Sequence, residues 1–273
     1  MDIKQFGKGA VLQNTKLRDY RLELAGALTL PAAFSVRRHI GKVKNQNGSG
    51  SCVGQSFAYY AELLNAIETD TKIELSARDI YSLIFQEPMG AYLKDAASKI
   101  CSSGVVLEKD AMSYENGNPP SEQFMRKRDD ITKGEEAEGN TFIAKKYLTW
   151  DNHSIELFKQ AIYQGSGAVI AAKGNNYCWA NSVLLVPEAG QIDWLHAVLL
   201  IGYDDSKKQF TFINSWGEGW GDKGFGYMPY EYVEKGYVAN PFTLIDVPNE
   251  TYVKMLSIIK NLLEKIIALL IKK

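Results

Sequence analysis

Cys52 stands at the end of the turn-rich run Asn45-Gln46-Asn47-Gly48-Ser49-Gly50-Ser51 and at the head of Val53, Phe57, Tyr60, Leu64 and Ile67, which recur at helical spacing. A thiol attacks as its thiolate, and the unpaired N–H groups and positive dipole end of a first helical turn favour that form. The loop therefore delivers a sulfur to a place where ionisation is helped. Gln46 lies six residues earlier (52 minus 46), and its side-chain amide is a candidate donor to the oxygen of a carbonyl under attack. Gly48 and Gly50 let the loop turn tightly and bring backbone close to a substrate. On residue type alone, however, a cysteine in such a run is more often a small buried hydrophobe than a nucleophile.

Two further strings change that balance. His196 sits between Trp194-Leu195 and the apolar run Ala197-Val198-Leu199-Leu200-Ile201-Gly202-Tyr203, so its ring opens a core strand. In isolation it reads as a satisfied core histidine. Asn214-Ser215-Trp216-Gly217-Glu218-Gly219-Trp220-Gly221 follows the strand-like Phe210-Thr211-Phe212-Ile213. Tryptophans set among glycines at that spacing are hard to explain by packing alone. A cysteine, a base and a third group that orients the base are what nucleophilic acyl chemistry requires.

The elements that must hold these residues fall into two halves. After an extended entry at Leu30-Pro31-Ala32-Ala33-Phe34, the first half reads as helical: a helix from Cys52, a second from Ser76 to Phe85 and a third from Leu93 to Ile100. Residues 115–140 carry Asn-Gly-Asn-Pro-Pro and opposed charge clusters, the composition of a solvated connection. Beyond them come a helix near Ser154–Gln164 and strand-like runs at Ala168–Ala172, Ser182–Val186, Ala197–Tyr203 and Gln209–Ile213. Helices followed by strands predict an α+β fold with segregated layers, not alternating βαβ units.

The four chemical positions resemble the papain family of cysteine peptidases, whose Cys/His/Asn arrangement is a named example of this chemistry. The match runs through Gln46 with Gly50-Ser51-Cys52, His196-Ala197-Val198 with Gly202-Tyr203, and Asn214-Ser215-Trp216-Gly217 with Trp220-Gly221. Leu30-Pro31 and Val43-Lys44-Asn45-Gln46 are similar to the start of the family's mature domain. The resemblance spans residues 30–247, in the order Gln, Cys, His, Asn, and points to bacterial and viral members. It implies a two-lobed fold, with Cys52 on a helical lobe (about residues 46–115) and His196 on an antiparallel β-barrel-like lobe (about 140–247). Substrate would lie extended between the lobes. It also implies hydrolysis of internal peptide bonds through an acyl-cysteine: Cys52 the nucleophile, His196 base and then acid, Asn214 its orienter, Gln46 and the Cys52 N–H the oxyanion donors. Trp216 would shield the His196–Asn214 hydrogen bond, Gly50 and Ser51 would shape the nucleophile loop, and Gly90 would be the glycine wall that pairs with substrate backbone; an ordinary loop glycine is the competing reading at Gly90.

The departures from the family pattern are specific. Ser49 replaces the family's cysteine three positions before the nucleophile, so the usual disulfide there cannot form, and Val53 replaces an aromatic residue. About 30 residues precede the domain-like start, fewer than the family's inhibitory prodomain. Residues 1–29 read as an arm, and the expectation is an enzyme made active or restrained by some other means. Two other classes stay open: a catalytically silent module on the same fold, and acyl transfer or cleavage on a specialised peptide such as a cell-wall stem.

Composition sets the outer bounds. With 31 basic and 32 acidic residues the net charge is -1, so no global field favours nucleic acid. Three cysteines and three histidines without close ligand pairs predict neither a disulfide framework nor a metal site, and no cofactor is expected. The polar amino terminus predicts a cytoplasmic chain, with virion association or peripheral membrane contact as variants. Residues 248–273 read as an amphipathic helix: Leu256, Ile259, Leu263, Ile266 and Leu270 form its seam, and Lys260, Glu264 and Lys265 break the roughly 20-residue apolar run a spanning helix needs. Docking on its own domain, self-association and membrane-surface contact through residues 254–273 all fit that pattern.

Overall fold

The computed structural model describes residues 2–13, 22, 29–131, 142–150 and 153–246. The expected helix at 248–273, and with it the self-association and membrane readings, lies outside them.

A short 3-10 turn at Ile3–Gln5, capped by the Asp2 side chain, leads into β1 (Ala10–Val11). The Leu30-Pro31 entry feeds β2 (Ala33–Ser35) as the proline predicts. Helix α1 (Cys52–Thr69) is buried on every side as far as Leu63 and emerges only in its last turn, where Ile67 is exposed and Asp70 closes the helix in a left-handed conformation. Burying Phe57, Tyr59, Tyr60 and Leu63 contributes about 1.5–3 kcal/mol apiece before entropy is counted. Glu62 on the same helix escapes the cost of a lone buried charge, because Lys44 Nζ lies 2.7 Å away and the Leu75 N–H donates to it at 2.6 Å.

Three more helices complete the first half. Helix α2 (Ala77–Ile84) is capped by Ser76, whose hydroxyl accepts the Asp79 N–H. Strand β3 (Ala91–Tyr92) precedes α3 (Leu93–Ser103), which ends at Gly104 with φ of 67°. Within the stretch expected to be a solvated connection, Ser121 caps a short helix α4 (Glu122–Arg126), and Met125 on it is fully buried.

The second half is a seven-stranded antiparallel sheet with β4 (Lys146–Thr149), β5 (Ala168–Gly174), β6 (Trp194–Asp204), β7 (Gln209–Ile213), β8 (Phe225–Pro229) and β9 (Val238–Ile245). The strand order is β4-β9-β5-β6-β7-β8, and β2 pairs with the far end of β6. Among the described residues no pairing joins β4 to β8, so the sheet stays open where a barrel-like lobe was expected. Helix α5 (Ile155–Gly165) lies between β4 and β5, and α6 (Glu231–Glu234) between β8 and β9. The expected strand at Ser182–Val186 does not form. Val183 makes only an isolated bridge to Tyr227, and the next two N–H groups go to Tyr227 and Cys178 separately.

The period-2 alternation of β5 and β6 divides the core. Val169, Ala171, Ala197, Leu199 and Ile201 face the α1 and α3 side, whereas Ala168, Ile170, Ala172, Val198 and Leu200 face α5 and a cluster of tryptophans. The sheet is thus buried on both faces, which explains why β6 reads as a continuous apolar run. It also sets the head of α1 against the beginning of β6.

Candidate active site

Cys52 is the first residue of α1, with Ser51 before it and the Gln55 N–H closing the first helical bond to the Ser51 carbonyl at 3.0 Å. The preceding loop is held by its own serines. Ser49 Oγ lies 2.7 Å from both the Gln46 carbonyl and Ser51 Oγ, and Gln55 Nε2 donates to Ser51 at 3.3 Å. Ser49 therefore supports the loop by hydrogen bonds where the resemblance would place a disulfide, and all three cysteines are free.

The Gln46 amide is oriented by partners on the facing lobe. Its Oε1 accepts from Ser215 Oγ, its Nε2 donates one hydrogen to the Ser49 carbonyl at 2.7 Å and the other into the cleft, and its backbone N–H donates to the Ser215 carbonyl at 2.9 Å. An isolated bridge between Asn45 and Trp216 fixes the same register. The segment that carries Gln46 is thus stitched to the segment that carries Asn214.

His196 and Asn214 meet, as the resemblance implies. His196 Nε2 lies 2.8 Å from Asn214 Oδ1, and the same oxygen accepts the Ser215 N–H at 2.8 Å. An amide oxygen only accepts, so Nε2 carries the proton and Nδ1 is left with its lone pair. Nδ1 is buried and has no hydrogen-bond partner. The Trp216 ring stacks on the imidazole at 4.6 Å between centroids, Trp179 meets it edge-on at 5.7 Å, and both nitrogen-bearing rings are fully buried. That aromatic wall keeps water from competing for the His196–Asn214 bond.

Burial dominates the electrostatics. It pushes the Cys52 thiol up to about 11, against the opposing pull of nearby N–H groups of Ala197, Gly9 and Val53. It lowers His196 to about 3, against the Asn214 hydrogen bond and reinforced by the charge of Lys8. In this arrangement the sulfur and the ring are a neutral thiol and a neutral imidazole. The Ala197 N–H at the sulfur places Cys52 beside the residue that follows His196.

Gly90 lies across from the loop that precedes Cys52. A Cβ on Gly50 would meet Met89 Cγ at 2.2 Å and the Gly90 N at 3.0 Å, so the two backbones are close neighbours. Gly90 has φ of +108°, and a Cβ there would meet the Gly9 carbonyl oxygen at 2.4 Å. The Glu122 carboxylate ties the two sides together. It accepts the Gly50 N–H at 2.6 Å and the Tyr81 hydroxyl at 2.8 Å, and that hydroxyl accepts the Gly90 N–H at 3.0 Å. Glu122 carried no signal in the sequence, because it lies in the stretch read as a connection.

The amino-terminal arm, read as a mere extension, runs through the cleft. The Gly9 N–H points at Cys52 Sγ at 3.3 Å, the Gly9 carbonyl accepts the Ala91 N–H at 2.7 Å, and β1 pairs in parallel with β3. Gly7 donates its N–H to the Asn47 carbonyl at 2.7 Å and accepts from Gln46 Nε2 at 3.0 Å. Phe6 stacks on Trp216 at 5.4 Å, and Lys8 Nζ lies 5.6 and 5.4 Å from the Trp194 and Trp216 ring centres. The signal available in the sequence was Gly7-Lys8-Gly9, two glycines flanking one cation.

Comparison with known proteins agrees with this geometry. The family model described as papain family cysteine protease matches residues 30–241. A cysteine protease of Blomia tropicalis is 25% identical over 217 residues, covering 77% of this chain and 62% of its own length, so the chain spans less than two thirds of that relative. An uncharacterised peptidase C1-like protein of Acanthamoeba polyphaga mimivirus is 42% identical over 50 residues, covering 18% of this chain and 16% of its own. Among solved structures, Xylellain, a cysteine protease from Xylella fastidiosa, superposes with a TM-score of 0.76 at 21% identity, covering 89% of this chain and 97% of its own. With Gln46, Cys52, His196 and Asn214 converging on one cleft inside the matched residues, the chain belongs to the papain family of cysteine proteases.

Proposed function

We propose that the chain is a cysteine-type endopeptidase in which Cys52 attacks the carbonyl carbon of an internal peptide bond of a polypeptide. The observation that carries this reading is the buried imidazole whose Nε2 is committed to Asn214 and whose Nδ1 lone pair has no partner, beside the strand position that touches the sulfur. Nδ1 takes the thiol proton as the S–C bond forms, and the carbonyl π electrons move onto oxygen. Gln46 Nε2 and the Cys52 N–H stabilise that oxyanion. The imidazolium then gives its proton to the departing amine as the C–N bond breaks, leaving a thioester. Water, deprotonated by the same nitrogen, attacks the thioester, and the C–S bond breaks to return thiol and free acid.

Cleavage within a chain, not only at its end, is supported by the arm itself. An extended polypeptide crosses the sulfur with Phe6 and Lys8 on the tryptophan side and Ala10 and Val11 on the β3 side. The cleft therefore accommodates backbone in both directions from Cys52.

The test is digestion of an unfolded protein at neutral pH, with fragments identified by mass spectrometry. Internal cuts are expected, lost in Cys52→Ala and in His196→Ala. Release of single terminal residues alone would refute endopeptidase action. Absence of any cut in an arm-loosened variant, Gly9→Ala, would refute peptidase activity and leave the silent module.

A further inference from the structure

We propose that the Tyr59 hydroxyl is a positioning group for the reaction: from the helix that carries Cys52 it sets the spacing between the segment holding Gln46 and the segment holding Asn214. This rests on Cys52 being the nucleophile, Gln46 the oxyanion donor and Asn214 the orienter of the base.

Tyr59 lies seven residues after Cys52 (59 minus 52), two turns along α1 on the same face and about 10 Å down its axis. It is 1% exposed. The hydroxyl accepts the Lys44 N–H and donates to the Asn214 carbonyl at 3.3 Å. Burial holds the phenol far above its ordinary pKa, so it keeps the proton it gives to Asn214. One oxygen therefore joins α1, the residue two before Gln46, and the orienting residue itself.

Each segment is clamped around that oxygen. Lys44 is bound to α1 a second time, through Nζ on Glu62 at 2.7 Å, and its carbonyl accepts the Gly217 N–H at 3.0 Å. The next two N–H groups, of Asn45 and Gln46, donate to the Tyr114 hydroxyl at 2.8 Å and to the Ser215 carbonyl at 2.9 Å. Asn214 donates its own N–H to the Gly224 carbonyl at 2.9 Å, so with Tyr59 at its carbonyl both of its backbone groups are fixed. Packing alone does not call for the hydroxyl, since a phenylalanine ring would fill the same apolar surroundings. What the oxygen adds is a fixed separation between elements whose side chains must meet in a reacting geometry, where a misplacement of about 1 Å costs about a hundredfold in rate.

Tyr60 supplies the control. It is the next residue on α1 and equally buried, but its hydroxyl lies 2.6 Å from the Gly165 and Gly167 carbonyls and from Thr243 Oγ1. Tyr60→Phe therefore loses a buried, hydrogen-bonded hydroxyl of the same kind, at partners that belong to α5, the start of β5 and β9.

The experiment uses the full chain, as wild type and as Gly9→Ala, each with and without Tyr59→Phe or Tyr60→Phe, at a temperature where all remain folded. With a fluorogenic peptide, kcat is expected to fall roughly tenfold to a hundredfold in Tyr59→Phe with KM within about twofold of the parent, and to stay at the parent value in Tyr60→Phe. A peptide aldehyde, whose adduct with Cys52 places an oxyanion at Gln46, should lose affinity by the same factor in Tyr59→Phe alone. Hydrogen exchange reports the tie without catalysis, and should quicken about tenfold at the amides of residues 44–46 and 214–215 in Tyr59→Phe alone. Parent kcat in Tyr59→Phe, or an equal loss in Tyr60→Phe, would overturn the assignment. Hydrolysis by none of the proteins, parents included, removes the peptidase reading instead, and exchange then decides alone: faster exchange in Tyr59→Phe keeps the hydroxyl as the tie, and unchanged exchange removes it too.

Discussion

Replacing Asn214 with alanine tests the coupling between the proposed orienting group and the proposed base. Asn214 Oδ1 accepts two hydrogen bonds, from His196 Nε2 and from the Ser215 N–H, both at 2.8 Å and both buried. Alanine orphans both donors at about 1–3 kcal/mol each, or about 2–6 kcal/mol together. The other end of the amide works the opposite way. Asn214 Nδ2 is itself buried without a partner, so its removal relieves a cost of about 1–3 kcal/mol already present and brings the net loss to about 2 kcal/mol. For a chain of this size that lowers the melting temperature by about 4–8 °C. Function should fall further than stability, because without Oδ1 nothing fixes the proton on Nε2 and the Nδ1 lone pair is no longer guaranteed. In the Gly9→Ala background, peptide hydrolysis should drop about a hundredfold at a temperature where both proteins remain folded. Differential scanning calorimetry and a fluorogenic peptide assay on the same samples give the two numbers. A melting point within about one degree of the parent, together with unchanged turnover, would refute the reasoning, since a shielded, doubly accepting oxygen cannot be lost without consequence.

Three other perturbations follow from the same geometry. The folded imidazole titrates near 3 and its ordinary value is 6.5, so between these limits the unfolded chain binds the proton that the folded one refuses. Stability from His196 is therefore complete above pH 6.5 and is lost as pH falls towards 3, by up to about 4–5 kcal/mol, and His196→Gln should flatten the urea-denaturation midpoint across that window. Glu62→Ala strands Lys44 in a site where both side chains are 6% exposed, and should cost about 3–5 kcal/mol, read as a lower urea midpoint with unchanged slope. Glu122→Gln turns one of two accepting oxygens into a donor facing the Gly50 or Tyr81 donor, so it should lower kcat of the Gly9→Ala enzyme about tenfold with a smaller change in melting temperature; unchanged kcat would show that Gly50 and Gly90 keep their places without the carboxylate.

The candidate groups were legible in the sequence because each sits inside a short string whose composition reports its setting. Cys52 follows a glycine- and serine-rich turn because a helix must start there, and His196 leads an apolar run because β6 is buried on both faces. Where the signal depended on partners far along the chain, it failed. Val183-Leu184-Leu185-Val186 has strand composition, yet Val183 and Leu185 are 52% and 44% exposed and the segment's N–H groups are shared between two unrelated carbonyls. β9 was hidden by Pro241, which it tolerates beside a shift of register against β5. The open edge of the sheet was equally invisible, since strand composition does not state whether the first and last strands meet.

The arm is the deepest case of this kind. Periodicity reports side chains, and the contact that matters at Gly7 and Gly9 is made by the lack of one. A glycine selected for freedom to turn and a glycine selected because a carbonyl oxygen lies 1.9 Å from where a Cβ would be are the same letter. Only the second kind is intolerant of alanine, and the intolerance is a property of the Ser49 and Gly50 carbonyls more than 40 positions away. The same packing that hides the arm from the sequence also fixes the resting electrostatics. With the arm across the sulfur, burial drives Cys52 and His196 towards their neutral forms, and proton transfer between them to give thiolate and imidazolium is disfavoured. An alanine at Gly9, whose Cβ would lie 2.0 Å from the Gly50 carbonyl oxygen, should therefore displace the arm from the sulfur, and Cys52 labelling in that variant should begin at lower pH than in the wild type.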